Sequence, residues 1–424
     1  MSRRYTIEYG DEFLDFQVPN TLSVMEIGLL PIKAEREPEE IIRYALDHPL
    51  GTHLERILKL NSQIAIILDD ITRPTPTALI LAELLPRLNE LGVKDEQIHL
   101  IFALGTHRVM TKQEIFSKLG ENIYEKYKIY QPRYDSPEDY QKIATSSDGQ
   151  DISLYKPALD CDIRIGIGNI VPHNTLGWSG GGKILFPGVA DKESIANFHL
   201  RAARSGSVFG NVENPIRHEV EFWVRQIGLD FIINTILTRD MELLDCVAGD
   251  PILAHREGVA KAEEVYGVKV HKKSDIVIVN GEPSSFDFWQ GTKGLNAANL
   301  LVRDNGVVIL AIPAREGVGP HDEYLDYLGS EDPDSQLVQK ANAKDPIALA
   351  VGLMIAKLHK RFSIYVYSDA MSTTQLKRAR IKKIESIDAC LYTFSNRSNF
   401  KTLTIVHNGA EILPIISNPD QHGD

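Results

Sequence analysis

Three short segments of the 424-residue chain concentrate side chains able to do chemistry. In the first, Asp69, Asp70, Ile71, Thr72 and Arg73 precede Pro74 and Pro76. A carboxylate beside a guanidinium suits an anionic, hydroxylated ligand: Arg73 as a bidentate clamp on carboxylate or phosphate, Asp70 as an acceptor from hydroxyls. A local Asp–Arg pair stapling a turn accounts for the same residues equally well. The second segment, Gly105-Thr106-His107-Arg108, offers a histidine placed for proton transfer, although a lone histidine is more often structural. The third runs from Pro172 and His173 to Trp178, Ser179 and Lys183, with glycines at 177, 180, 181 and 182. Such glycines let backbone N–H groups approach an anion, and the lysine suits a phosphate. Ile184 stands where a Walker A loop requires Ser or Thr, which disfavours ATP hydrolysis.

Two further places add candidates. His199 lies in an expected helix sixteen residues beyond Lys183, and reads by itself as a surface histidine. His218-Glu219 is followed by Phe222 where HExxH needs its second histidine, so no protein-only zinc centre is expected. Later, Gly281-Glu282-Pro283 leads to Phe286, Trp289, Gln290 and Lys293. These suit a carboxylate held against an apolar wall, or an ordinary first turn of a helix.

The elements that must position these residues are strands alternating with helices. Residues 63–68, 98–103 and 162–167 read as buried strands, with helices from about 78 to 91 and from about 111. A second series starts near Ser274, with strands 275–279, 306–312 and 363–367 and helices from about 292 and over 346–360. Residues 316–344 read as a loop or lid, and residues 402–415 as a β-hairpin. This rhythm predicts an α/β protein of two domains with mainly parallel sheets and the active site in the interdomain cleft. The expected division is 1–272, 273–398 and a tail 399–424 packing back on the first domain.

Composition narrows the function. With 46 basic and 58 acidic side chains the net charge is −12, which gives no support for nucleic-acid or anionic-membrane partners. Cys161, Cys246 and Cys390 are far apart and form no CxxC pair, as in a reducing, cytoplasmic compartment. The start MSRRYTIEYGDEF carries no apolar targeting stretch, and the longest apolar run, 346–356, is too short to span a bilayer.

Taken in order, DDITRPTP at 69–76, LGTH at 104–107, PHNTLGWSGGGKILFPG at 172–188, His199 and WQGTKG at 289–294 resemble the nickel-dependent lactate racemase family. The resemblance implies a covalently bound nickel pincer nucleotide, the Ni(II) pyridinium-3,5-bisthiocarboxylic acid mononucleotide, joined to Lys183 through a thioamide. It implies His199 as the protein ligand to nickel, and His107 and His173 as acid and base. Asp70, Ile71, Thr72, Arg73, Gln290 and Lys293 are then expected at the cofactor, and Arg73, Lys293, Gln290 and Trp289 at the substrate. The implied reaction racemises a 2-hydroxy acid by proton-coupled hydride transfer to the cofactor through a 2-keto acid. Removing hydride avoids deprotonating a weakly acidic C–H beside a carboxylate. Enzymes of cofactor synthesis are the implied partners in the same host.

The substrate stays open at this stage. Trp289 stands where a tyrosine is expected in a lactate enzyme, and Trp178 and Phe288 are expected to add apolar surface. Lactate leads; a larger or aromatic 2-hydroxy acid, malate, or a sugar acid epimerised at carbon 2 are the alternatives. From other classes, an oxidoreductase using free NAD lacks its GxGxxG strand turn. A non-catalytic binding protein for an anionic metabolite would leave the catalytic positions without purpose.

Overall fold

The structure is a computed structural model that describes residues 2–59, 61–146, 148–206, 208–338, 343–397 and 399–417. Packing divides the chain into two compact units. One comprises residues 31–198 and 211–265; the other comprises residues 1–30, 199–210 and 266–424. These units do not coincide with the expected division 1–272, 273–398 and 399–424: residues 1–30 and 199–210 group with 266–424, and one boundary falls inside the helix Lys192–Ser205.

The first unit is built on a six-stranded sheet, ordered Leu243–Gly249, Phe231–Leu237, Ile163–Asn169, Ile64–Leu68, Ile98–Phe102, Lys128–Tyr130. All its neighbours are parallel except the first pair. Ile64–Leu68 is buried at every residue, as a central parallel strand covered on both faces must be. The helix Thr77–Glu90 presents Ile80, Leu81, Leu84 and Leu88 at helical spacing, all 0% exposed. Each such side chain contributes roughly 1.5–3 kcal/mol by leaving water. Gly92, at φ +89°, ends the turn in a conformation that few other residues adopt.

The second unit carries another six-stranded sheet, in which every neighbouring pair is parallel: Lys382–Lys383, Ser363–Tyr367, Val302–Ala311, Ser274–Asn280, Thr402–Val406, Ser23–Ile27. The tail is thus not the hairpin that its sequence suggests. Thr402–Val406 lies inside this sheet, whereas Leu413–Ile416 pairs in parallel with Gly267–Val270. Between them, Gly409 passes so close to the Asn280 carbonyl that a Cβ there would come to 2.2 Å. The expected lid contains the helices Tyr324–Leu328 and Pro333–Val338, with residues 339–342 outside the described set. The helix expected from about 292 starts earlier and is broken, as Phe288–Gly291 and Gly294–Leu301. Among the described residues no helix is long and apolar enough to cross a membrane.

Candidate functional site

In the first unit the chemistry gathers where the central strands end. Asp69 and Asp70 follow Ile64–Leu68 and are 7% and 3% exposed. They have different partners. Asp69 forms an ion pair with Lys118 at 2.9 Å and accepts the Thr75 hydroxyl. Lys118 also donates to the carbonyls of Arg73 and Thr75, so this pair clasps the loop. Asp70 turns to His107, whose Nδ1 lies 2.5 Å from Oδ2, and accepts the Thr72 hydroxyl and N–H at 2.5 and 2.9 Å. Burial works against the ionised Asp70, but His107, Arg73 and Thr72 outweigh it and hold the carboxyl well below its usual range.

The Asp–Arg staple does not form. Among the described residues the Arg73 guanidinium donates only to the Thr72 carbonyl and hydroxyl, both at 3.4 Å. Its charge remains available to an anion. Ile71 is 37% exposed and gives its N–H to Met110 Sδ.

His173 begins the short strand Pro172–His173, which pairs antiparallel with Gly177–Trp178. Its Nδ1 accepts the backbone N–H groups of Thr175 and Leu176 at 3.2 and 3.3 Å. From hydrogen-bond geometry, then, neutral His173 carries its proton on Nε2. Neutral His107, donating Nδ1–H to Asp70, instead carries a lone pair there. The two rings are set in opposite tautomers.

Lys183 lies in the 3₁₀ turn Gly181–Ile184. The turn is packed so tightly that a Cβ at Gly182 would come within 2.3 Å of Val224, and one at Gly181 within 2.8 Å of the His255 ring. The Gly105 N–H reaches the Gly188 carbonyl at 3.0 Å, tying the His107 segment to the segment of Lys183. Burial, aided by the charges of Arg73 and Arg217 and opposed by Asp70 and Asp69, pushes the Lys183 ammonium down to about 7. The uncharged amine is thus far more accessible at neutral pH than for an exposed lysine.

In the second unit, Asp287 caps the helix Phe288–Gly291 through the Gln290 N–H at 2.6 Å. Trp289 stands between two aromatic neighbours, His321 with ring centroids 4.7 Å apart and Tyr324 at 4.6 Å. His321 is anchored by Asp345 at 2.5 Å, and Asp345 in turn caps the helix Pro346–Ala356. Gln290 is buried and Lys293 half-buried at the next turn. Trp178 in the first unit and Phe288 in the second are both 0% exposed, so they are core residues rather than the expected apolar wall. His199 is half-buried in Lys192–Ser205. Among the described residues no cluster of three or more His, Cys, Asp or Glu is arranged to hold a metal ion.

A model of the lactate racemase N-terminal domain matches residues 9–210, and one of the lactate racemase C-terminal domain matches residues 269–413. A lactate racemase of Thermoanaerobacterium thermosaccharolyticum is 30% identical over 338 residues, 77% of this chain and 78% of that protein. The chain belongs to the lactate racemase family. A lactate racemase of Lactiplantibacillus plantarum is likewise 30% identical, over 72% of this chain and 73% of that one. In fold, the chain resembles the lactate racemase apoprotein of T. thermosaccharolyticum with a TM-score of 0.85, over 97% of this chain and 100% of that one at 24% identity. A protein of Thermotoga maritima follows at 0.69, covering 91% of this chain and 100% of that one at 19% identity.

Within this lactate racemase fold the expected site residues fall into two sets. Asp70, Ile71, Thr72, Arg73, His107, His173 and Lys183 belong to the first unit; His199, Trp289, Gln290 and Lys293 belong to the second. Direct hydrogen bonds join Asp70, Thr72 and His107, and charge couples Arg73 and Asp70 to Lys183. Sequence reading missed Arg217, His255 and Asn234, which fix the glycine turn, and the His321–Asp345 pair. An arginine in the first turn of a helix capped by Asn214 was a visible signal. The pairing of His321 with Asp345, 24 residues apart, left none.

Proposed function

We propose that the protein is a racemase of a short 2-hydroxy acid, lactate first, working with a nickel pincer nucleotide attached to Lys183. The observation that carries this reading is Lys183 itself: a recessed lysine held near neutral charge balance, in a chain of the lactate racemase family. Forming an amide-type bond requires an uncharged amine, and the lowered pKa of this side chain favours that form. Arg73 and Thr72 suit the phosphate or carboxylate of the bound groups, and His199 is the proposed nickel ligand, so the residues present fit the cofactor. When bound, that group supplies the acceptor and donor for the hydride of the substrate α-carbon.

The chain's own residues handle the proton and the carboxylate. His107 takes the hydroxyl proton of one enantiomer at Nε2, and the resulting imidazolium is stabilised by Asp70. His173 is the proposed acid–base group for the mirror-image alcohol; to act as the base there it must give up the Nε2 proton and release the Thr175 and Leu176 N–H groups from Nδ1. Arg73, Lys293 and Gln290 are the proposed anchors of the carboxylate and cofactor, and Ile71 is a further proposed cofactor contact. Trp289, fixed by His321 and Tyr324, is the proposed wall that limits the substrate side chain. The three buried, unpaired cysteines suit a cytoplasmic setting.

The test is intact mass and nickel content of the protein co-expressed with the pincer-synthesis enzymes, followed by peptide mapping. A covalent adduct on the Lys183 peptide with about one nickel per chain is expected, and Lys183→Ala should abolish it. An unmodified, nickel-free protein from a host that loads a known family member overturns the reading.

A further inference from the structure

Arg217 is 0% exposed, and among the described residues it forms no ion pair. Asp250 is taken by Arg225, and Glu221 by Arg256 at 2.6 and 3.2 Å. Its three donor nitrogens fan onto one stretch of backbone: Nε to the Leu176 carbonyl at 3.4 Å, Nη1 to Gly180 at 3.3 Å, and Nη2 to Trp178. The guanidinium gathers three alternate carbonyls of a segment that bends at Gly177 (φ +76°) and Gly180 (φ +74°). That segment runs directly into Gly181, Gly182 and Lys183.

The charge is costly where it stands. A buried cation without a carboxylate loses its hydration, and Arg217 is the third residue of the helix Pro215–Ile227, where the helix dipole opposes a positive group. Nor does fixing the backbone require a charge. His255, held neutral by burial, meets the Ser179 carbonyl through Nε2 at 2.8 Å, and Asn234 accepts the Gly181 N–H at 2.7 Å. Neutral side chains thus hold the neighbouring groups of the same turn. What a guanidinium adds is a permanent positive charge beside Lys183.

We infer that Arg217 is a positioning residue for Lys183: it shapes the glycine turn through three carbonyls and, as an un-neutralised buried cation, keeps the Lys183 side chain a nucleophilic amine. Arg73 acts in the same direction from the loop after Ile64–Leu68, while Asp70 and Asp69 act against it from that loop. Glu221 and Arg256 stand behind Arg217 and bear on it with opposite signs. Burial pulls Arg217 itself down only to about 9, so it stays charged at neutral pH. The use of that amine for cofactor attachment rests on the function proposed above; its existence does not.

The experiment uses the full chain expressed without cofactor-synthesis enzymes and an N-hydroxysuccinimide ester of acetate. The amine nitrogen forms a bond to the acyl carbon, N-hydroxysuccinimide leaves, and the amine proton passes to buffer. Peptide mapping reads Lys183 acetylation against the exposed Lys192 from pH 5.5 to 9. The wild type should show a midpoint near 7. Arg217→Gln, which keeps donors but removes the charge, should raise the midpoint by about one pH unit and slow labelling at pH 7 about fivefold. Arg217→Lys, which keeps the charge but loses the fan, should leave the midpoint near 7 while amide exchange at residues 180–183 quickens. Should the glutamine variant not fold, Arg217→Met gives the same reading with an apolar chain of similar length. A midpoint unchanged in a folded, uncharged variant overturns the inference and leaves Arg217 a clamp. This readout needs no nickel and no turnover, so it stands or falls separately from the pincer reading.

Discussion

Asp70 and Asp287 are both nearly inaccessible carboxylates, 3% and 4% exposed, near the ends of strands in their respective α/β units. Burial is the largest influence on each and raises both. Yet Asp70 ends well below its ordinary value, while Asp287 is pushed up to about 6. Asp70 has a histidine in direct contact, an arginine nearby and a hydroxyl donor. Asp287 has one backbone N–H and the more distant Lys293 and His321, while Glu316 adds repulsion. One carboxylate has its charge stabilised by the histidine beside it; the other, a helix cap, carries a charge that its surroundings disfavour. Partners in space, not burial, decide which.

Breaking the Asp70 side should have the largest effect. His107→Ala removes the proposed proton acceptor and is expected to lower kcat by ~10²–10⁴. Racemisation within tenfold of wild type, starting from either enantiomer, would exclude His107 from proton transfer. Asp70→Asn keeps the shape but not the charge, and should cost about 10- to 100-fold in kcat by failing to stabilise the His107 imidazolium. The same variant tests stability by its sign. A carboxyl depressed in the fold contributes stability above its unfolded value near 4 and loses it as pH falls toward the folded value. The advantage of wild type over Asp70→Asn in urea unfolding should therefore shrink steadily below about pH 4.

These asymmetries mark what a sequence can show. The alternating strands and helices were legible because buried parallel strands are nearly all apolar, as in Ile64–Leu68 and Ser274–Asn280. The residues after the strands were legible as types, but their pairing was not. Asp70 and Arg73 read equally well as a ligand clamp or a local staple, whereas in the fold Asp70 takes His107 and Asp69 takes Lys118, both from later in the chain. The tail misled for the same reason: Thr402–Val406 and Leu413–Ile416 look like two arms of one hairpin, yet each has a distant mate. Lowered charge on Lys183 was foreseeable from the glycines around it, but the contribution of Arg217, 34 residues on, was not.

On the Asp287 side the expected effects are smaller. His321 packs against Trp289 at a tilt of 45° and is held by Asp345, so His321→Asn should loosen the indole without touching the proposed proton-transfer pair. KM for a small 2-hydroxy acid should rise ~3- to 10-fold with kcat little changed, the pattern of lost uniform binding. A fall in kcat matching that of His107→Ala would mean that His321 takes part in the chemistry instead.

The smallest effect, and the cleanest contrast with Asp70→Asn, belongs to Asp287→Asn. Asparagine caps a helix about as well as aspartate, so the hydrogen bond to the Gln290 N–H is retained while the titration is removed. A carboxyl raised to about 6 in the fold binds its proton more tightly there than in the unfolded chain, whose value lies near 4. Its contribution is therefore fully present below about pH 4, declines as pH rises to 6, and is gone above that. At pH 7.5 the wild type holds an ill-matched charge that the variant does not, so Asp287→Asn should be more stable by ~1 kcal/mol, with the difference closing toward pH 4. The two aspartates thus predict opposite signs from the same substitution: loss of stability at neutral pH for Asp70, gain for Asp287. Urea unfolding of both variants at pH 4 and 7.5 reads both signs, and equal signs would show that burial alone governs these sites.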